Sequence, residues 1–409
     1  EWWSLVILAL AGLIAIGVLG RVLDRPVTDG EVQRLTSAHK FWLAVTFSNL
    51  KISAKVLIML VLVSATSVVI FGYFDYQAAK ETLEKESFNK LTAVREMKAQ
   101  QIENYFGTLN DLVVTFAQSD TAIEAAKGFR AAFEDIQQDV SADSFTEKSL
   151  EKYYESEFLT RLAPNMLDSS GLVARDFISP NPATQYLQKT YIADNPYPTG
   201  EKDKLYRLED GSSYDVAHTR HHQVFRKLLE TFGFYDIFIV DPEDGYILYS
   251  VFKEVDFGTS LLMGPYKDSN FAAAYRMVMQ NPKPGTAILV DFEPYEPSYN
   301  APAAFIAAPI FERKELVGVA VFQMPIDRIN AIMTSNQSWG DVGLGESGET
   351  YIVGEDFGMR NQSRFLIEDS ENYFKAIQDS GAPSDTVKLI KAFNSTVGLQ
   401  KVETKGTIA

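Results

Sequence analysis

The stretch Val56–Phe74 (VLIMLVLVSATSVVIFGYF) contains no Asp, Glu, Lys or Arg. As a helix it would rise roughly 28 Å, close to the ~30 Å hydrocarbon core of a bilayer. A charge at mid-bilayer costs roughly 2.5–3.5 kcal/mol, so an uncharged run of this length reads as a membrane span. Lys51 and Lys55 precede it, and Tyr73 and Tyr76 stand at its far end as interfacial aromatics do. A buried core helix would fit less well, because core helices are rarely apolar on every face.

A second uncharged run, Trp2–Gly20, lies ahead of it. Its basic flank follows the apolar part, the reverse of a signal peptide, so 2–20 is expected to be a first membrane helix. The loop 21–55 carries Arg21, Arg25, Arg34, Lys40, Lys51 and Lys55 against Asp24, Asp29 and Glu31. The positive-inside rule puts that loop in the cytoplasm, with Phe41–Phe47 skimming the inner interface or packing on the anchors. Everything after about residue 75 is then expected outside. The localisation expected is the cell inner membrane, multi-pass, with a periplasmic or extracellular sensor part.

The net charge of −16 is concentrated beyond the anchor and argues against a nucleic-acid partner, which needs clustered Lys and Arg. The absence of cysteine excludes disulfides and thiolate metal sites and is compatible with a periplasm. There is no initiator Met and no stop-like tail, so the expectation is a piece of something longer.

From Tyr76 to about Ile136 the residues are strong helix formers without proline. Leu83, Leu91, Val94, Ile102, Phe106, Leu109, Val113 and Phe116 form a helical apolar stripe, predicting one long stalk helix that bends or ends near Gly128 and Ser141–Ser144. Residues 151–233 read as short helices and loops, with Tyr186–Gly200 mostly loop. Tyr235–Val240 and Tyr246–Val251 read as strands joined by the turn Asp241–Gly245. Phe271–Gln280 reads as a helix. Ala287–Phe292, Ala303–Phe311 and Leu316–Gln323 complete an antiparallel meander, an α+β unit with one sheet. A second unit is expected from Gly343, with Thr350–Val353 as its first strand.

In order and spacing, YDIFIVDPEDGYILYSVFKEVDFGTSL, VDFEPYEPSYNAPAAFIAAPIF, ELVGVAVFQMPIDRIN and GLGESGETYIVGEDFGMRNQSRF resemble the double Cache (dCache) sensor domain. The form they resemble most lies outside the membrane in bacterial class III nucleotide cyclases, sensor histidine kinases and chemoreceptors. The resemblance implies tandem PAS-like modules: a membrane-distal one (141–335) that holds a ligand and a membrane-proximal one (343–409, incomplete) that relays. With the membrane helices 2–20 and 56–75, the loop 21–55 and the stalk 76–140, this accounts for the chain. It also implies a returning membrane helix and a cytoplasmic output domain, neither of which lies within these residues, and the extra helix 2–20 departs from the pattern.

Pocket specificity needs a few placed polar groups among aromatic walls. Val290–Phe305 supplies Asp291, Glu293, Tyr295 and Tyr299, and Lys253–Tyr266 supplies Lys253, Asp256 and Tyr266. Lys253, Asp256, Tyr266, Asp291, Tyr295 and Tyr299 are therefore the candidate ligand-binding residues. A small amine, amino acid or organic acid suits them: a carboxylate takes an ammonium, aromatic faces add cation–π attraction, and Lys253 or Arg276 takes a carboxylate. The alternative is that the tyrosines cover the sheet and the acids face water.

Asp215, His218 and His222 have helical spacing that could share a metal, but Arg220 and Arg226 oppose a cation, and exposed histidines on a helix are the plainer expectation. Gly343–Gly348 lacks the Lys-Ser/Thr of a phosphate loop and precedes a strand, so it reads as a turn. No catalytic set, resident metal or cofactor is expected. The partners expected are a small-molecule ligand, the membrane and a second copy of the chain. A nucleotide cyclase is the expected output, ahead of a histidine kinase or chemoreceptor. An extracytoplasmic metal-dependent hydrolase and a protein-binding assembly domain are the rival readings.

Overall fold

The computed structural model describes residues 50–139 and 147–402. The expected membrane helix 2–20, and the loop 21–55 up to residue 49, lie outside them. By contacts the chain divides into two compact units, Glu1–Asn89 and Lys90–Ala409.

Helix α1, Ile52–Ala117, is an unbroken 66 residues, about 100 Å at 1.5 Å per residue. Among the described residues it is the one helix long and apolar enough to cross a membrane, and none of its most apolar window is buried. Two of its hydroxyls are satisfied within the helix. Thr66 Oγ1 donates to the Leu62 carbonyl at 2.7 Å and Ser67 Oγ to the Val63 carbonyl at 2.8 Å. Such back-bonding is what lets hydroxyls sit in hydrocarbon.

Within the second unit the predicted stripe is half used. Val94, Leu109, Val113 and Phe116 are buried, whereas Leu91 stays exposed. The expected single stalk helix to Ile136 is corrected: α1 stops at Ala117, and α2 (Asp120–Asp139) starts afresh. Ser119 makes the break, donating to the Phe116 carbonyl at 2.7 Å and accepting from Ala122 N at 3.2 Å, the bonds of a helix stop and an N-cap. Gly128, expected at a bend, lies inside α2, where an added Cβ would meet Ala217 Cβ at 3.9 Å.

After α3 (Glu147–Tyr153), a π turn (Tyr154–Phe158) and α4 (Leu159–Leu162), helix α5 spans Pro182–Gln188. A second π turn, Lys189–Ala193, follows, so the expected loop from Tyr186 begins as helix. Asn181 caps α5 by accepting from Ala183 N and Thr184 N, with Pro182 in its first turn. Helix α6, Ser213–Phe232, is capped by Ser212 and closed by Gly233 in the left-handed region.

Five strands follow the sequence reading closely: β1 Asp236–Val240, β2 Ile247–Ser250, β3 Ile288–Tyr295, β4 Ala301–Glu312 and β5 Glu315–Gln323. They form one antiparallel sheet in the order β2-β1-β5-β4-β3. Alternation assigns each residue a face. Ile237, Ile239, Ala320 and Phe322 join α2 and α6 in the larger core. Phe238, Val240, Val319 and Val321 join α7 (Asn270–Gln280) in the smaller one. The chain is thus α+β, a sheet sandwiched by helices.

Beyond β5 come α8 (Ile326–Thr334), α9 (Arg364–Glu368), α10 (Ser370–Asp379) and α11 (Ser384–Phe393). The strand expected at Thr350–Val353 is reduced to the bridge Val353↔Met359, with Gly358↔Lys401 beside it. Among the described residues, no neighbouring strand completes a ladder there.

Candidate functional site

The loop from β2 to α7 (251–269) runs between the smaller core and a third cluster, which includes Tyr154, Phe158, Phe177 and Tyr266. Its backbone is tied down from α5: Gln188 Nε2 donates to the carbonyls of Val255 (2.8 Å) and Phe257 (3.0 Å), and Thr184 Oγ1 to that of Gly258 (2.5 Å). Gly258 has φ +80°, and a Cβ there would meet Thr184 Cγ2 at 3.3 Å, so only glycine fits both demands. The loop in turn fixes Asp256.

Asp256 is 1% exposed, and its Oδ2 accepts from the Tyr295 hydroxyl at 2.6 Å. Its other oxygen has no partner among the described residues, nor do the Tyr266 hydroxyl and Asn270 Oδ1. All of these are buried: Tyr266 and Asn270 are each 2% exposed. Tyr266 and Tyr295 stand 6.4 Å apart by ring centroids, and Asn270 spends its amide on the Asp291 and Ala303 carbonyls at 3.0 and 2.6 Å. An orphaned buried polar atom costs about 1–3 kcal/mol, so each of these is a polar atom in want of a partner.

The electrostatics have one sign. Burial pushes Asp256 up to about 7, with the tyrosine bond and the backbone amides of Asp256 and Phe257 working against it and the charge of Asp236 adding to it. Burial, then the charges of Asp256 and Asp236, raise Glu254 well above the usual carboxylate range. Asp236, on β1, is pushed to about 6 by burial, although it accepts from Ser250 Oγ (2.6 Å) and the amides of Ile237 (2.6 Å) and Val251 (2.8 Å). Lys202, buried and donating to the Tyr153 hydroxyl at 2.5 Å, is pulled down to about 8 by burial and feels Glu254. The neighbourhood is short of positive charge.

Asp256, Tyr266 and Tyr295 are therefore brought together. Tyr299 lies beside the third cluster, its ring 6.0 Å from Phe158 and equally far from the Arg161 guanidinium. Lys253 turns the other way. Fully buried with φ +56°, it donates to the Ser250 and Val251 carbonyls (3.2 and 3.1 Å), its ammonium 5.3 Å from the Tyr249 ring. Burial pulls it down to about 7. The carboxylate of Asp291 points outward to Arg360, whose Nε lies 2.9 and 3.0 Å from its oxygens. A register shift between Val290 and Glu293 separates it from the regular β3 pattern. Arg276 is exposed and donates to the Lys267 carbonyl at 2.6 Å. Glu254, Lys202 and Asn270 were not anticipated. Glu254 and Lys202 look like surface charges in sequence, and only burial distinguishes them.

The histidines are corrected outright: His218, His221 and His222 are buried, not exposed. His222 uses both ring nitrogens, Nδ1 with the Tyr249 hydroxyl (2.7 Å) and Nε2 with the Asp203 carbonyl (2.6 Å). Asp215 accepts from the amides of Leu208 (2.7 Å) and Glu209 (2.9 Å). His222 is thus fully engaged and His218 Nδ1 lies 3.1 Å from the Tyr206 carbonyl. Among the described residues His218 Nε2 has no partner, and no group of three or more His, Cys, Asp or Glu that could hold a metal occurs.

No family model and no curated protein matches the chain. Among solved structures it is similar to the sensor domain of the V. cholerae histidine kinase DctB, at 14% identity and a TM-score of 0.21. That match covers 46% of this chain and 60% of the other. A likeness at this level carries no weight for fold or function.

Proposed function

We propose that the chain is the membrane-anchored, ligand-sensing part of a bacterial signalling receptor of the double Cache kind. In this reading α1 crosses the inner membrane, the sheet-bearing unit lies outside, and the ligand is a small molecule with an ammonium group, such as an amine or amino acid. One observation carries it: a buried carboxylate, Asp256, with one oxygen on Tyr295 and the other without a partner among the described residues, as is the hydroxyl of Tyr266, which feels its charge. A cationic ligand supplies the missing donor and the missing charge together, and the aromatic faces add attraction of ~0.5–2 kcal/mol. For an amino acid, Lys202, which feels the charge of Glu254, is the candidate for the carboxylate.

Ligand occupancy would bias the stalk between two arrangements, and only a difference in affinity between them can do so. The output we favour is a nucleotide cyclase, with a histidine kinase or chemoreceptor next, acting as a homodimer. A thermal-shift panel of amines, amino acids and organic acids on the full chain tests the reading. A ligand at 100 times its Kd adds about 2.7 kcal/mol of stability. Stabilisation by ammonium compounds alone is the expected pattern; indifference to every compound, or a response to organic acids only, contradicts it.

A further inference from the structure

Ser335, Asn336 and Gln337, just after α8, take left-handed backbone one after another, with φ of 53°, 53° and 65°. None is glycine. A single left-handed residue commonly ends a helix, and Ser335 does that here, its N–H reaching the Ala331 and Ile332 carbonyls. The Asn336 N–H completes that cap on the Ala331 carbonyl (2.9 Å) and Gln337 N bonds Thr334 Oγ1 (3.2 Å), but the cap demands left-handed backbone of one residue, not of Asn336 and Gln337 as well. Left-handed backbone on residues with a Cβ persists only where its surroundings impose it.

Lys98 of α1 grips this run. It is 3% exposed, and its ammonium donates to the Ile332 carbonyl and, at 2.6 Å, to Ser335 Oγ. Ile332 lies in the last turn of α8, where carbonyls lack helical partners and the helix dipole is negative. The adjacent Met333 carbonyl accepts from Thr350 Oγ1 at 2.8 Å, and Asn330 Oδ1 from Gln362 N at 2.7 Å. One turn of α8 is thus held by α1 on one side and by the 350–362 segment on another. Upstream, β5 leads directly into α8, and its Gln323 donates to Ser298 Oγ (3.1 Å), which lies 3.5 Å from Glu254.

We propose that the end of α8 is a two-position joint between the candidate ligand site and α1, with Lys98 as its latch, engaged in the arrangement described and released in the other. What drives the joint rests on the sensor reading; the latch itself does not. Two features make it reversible. Burial pulls the Lys98 ammonium below the ordinary lysine range, and neutral oxygens alone hold it, so release to water restores its hydration. Release also lets Ser335–Gln337 relax from the left-handed region. Packed elements switch between discrete settings and do not stretch, so a small shift at the end of β5 suffices.

The cysteine-free full chain accepts nitroxide labels at A99C and S338C, both exposed positions, for pulsed electron paramagnetic resonance. Lys98→Met keeps the stem and removes the donor. The expected result is a distance distribution that lengthens and broadens relative to the parent. Ser335→Ala, which removes one acceptor, is expected to move the distribution less and in the same direction, and it serves if Lys98→Met does not fold. Distributions unchanged in both variants overturn the latch. Saturating putrescine is expected to move the parent toward the released distribution and to leave Lys98→Met where it is. Putrescine that binds by calorimetry without moving the parent overturns the coupling. If putrescine does not bind, the sensor reading loses support, and the latch is judged on the two variants alone.

Discussion

The Tyr295 hydroxyl donates to Asp256 at 2.6 Å, joining the end of an edge strand to a loop 39 residues earlier in the chain. It satisfies one carboxylate oxygen and leaves the other without a partner among the described residues. That half-satisfied carboxylate is the basis of the functional reading.

Its first consequence is a pH dependence. The folded chain holds the Asp256 proton to about pH 7, whereas an unfolded Asp releases it near 3.9. Unfolding therefore releases a proton in that window, and this group's contribution is most favourable near pH 4 and is lost as pH rises through 7. Lys253, pulled down to about 7, acts oppositely above neutrality. Comparing Asp256→Asn with the parent removes the lysine effect. The stability difference between variant and parent is expected to shift in the variant's favour by roughly 4 kcal/mol between pH 4 and pH values above 7 in chemical denaturation.

Gly258→Ala places a Cβ in left-handed backbone and 3.3 Å from Thr184. A cost of roughly 1–3 kcal/mol in thermal or denaturant unfolding is expected, with weaker binding of any ligand held by Asp256. An unchanged melting temperature would mean that the loop is not pinned there.

Phe116 stands edge-on to both Phe225 and Phe322, with centroids at 5.1 and 5.2 Å, where α1 meets the larger core. Phe116→Ala is expected to cost about 3–5 kcal/mol. Leu91→Ala, at an exposed position on the same helix, is expected to change stability by no more than about 0.5 kcal/mol in the same assay.

The five strands of the sheet were legible because each is a short apolar or β-branched run bounded by turn residues, and each appears within a few residues of its expected place, whereas Thr350–Val353 has the same look and forms only an isolated bridge. The stalk was misread because helix propensity runs straight through Gln118 and Ser119, and only the capping bonds of Ser119 reveal the stop. The histidines, expected exposed on a helix, are buried because the side carrying His218 and His222 packs against Tyr191 and Tyr249, partners that lie far off in the chain. At the site, the types of Asp256, Tyr266 and Tyr295 suggested a pocket. Lys253 and Asp291 have equally suitable types, but their backbone conformation and strand register turn them elsewhere, which composition does not encode.

The orientation of the anchor has its own test. Ser269→Cys on intact cells is expected to react with an impermeant thiol reagent and Thr36→Cys to be shielded; the reverse pattern would place the sheet-bearing unit in the cytoplasm.

The most direct measurement is calorimetric titration of the full chain and of Asp256→Asn with the ammonium compound that most stabilises it. Loss of roughly 1.5–3 kcal/mol of binding in the variant, about 10- to 150-fold in Kd, with the fold intact, is the result expected for a charge-assisted bond to that carboxylate. Equal affinity in the two proteins would contradict the account, because the ligand would then sit elsewhere.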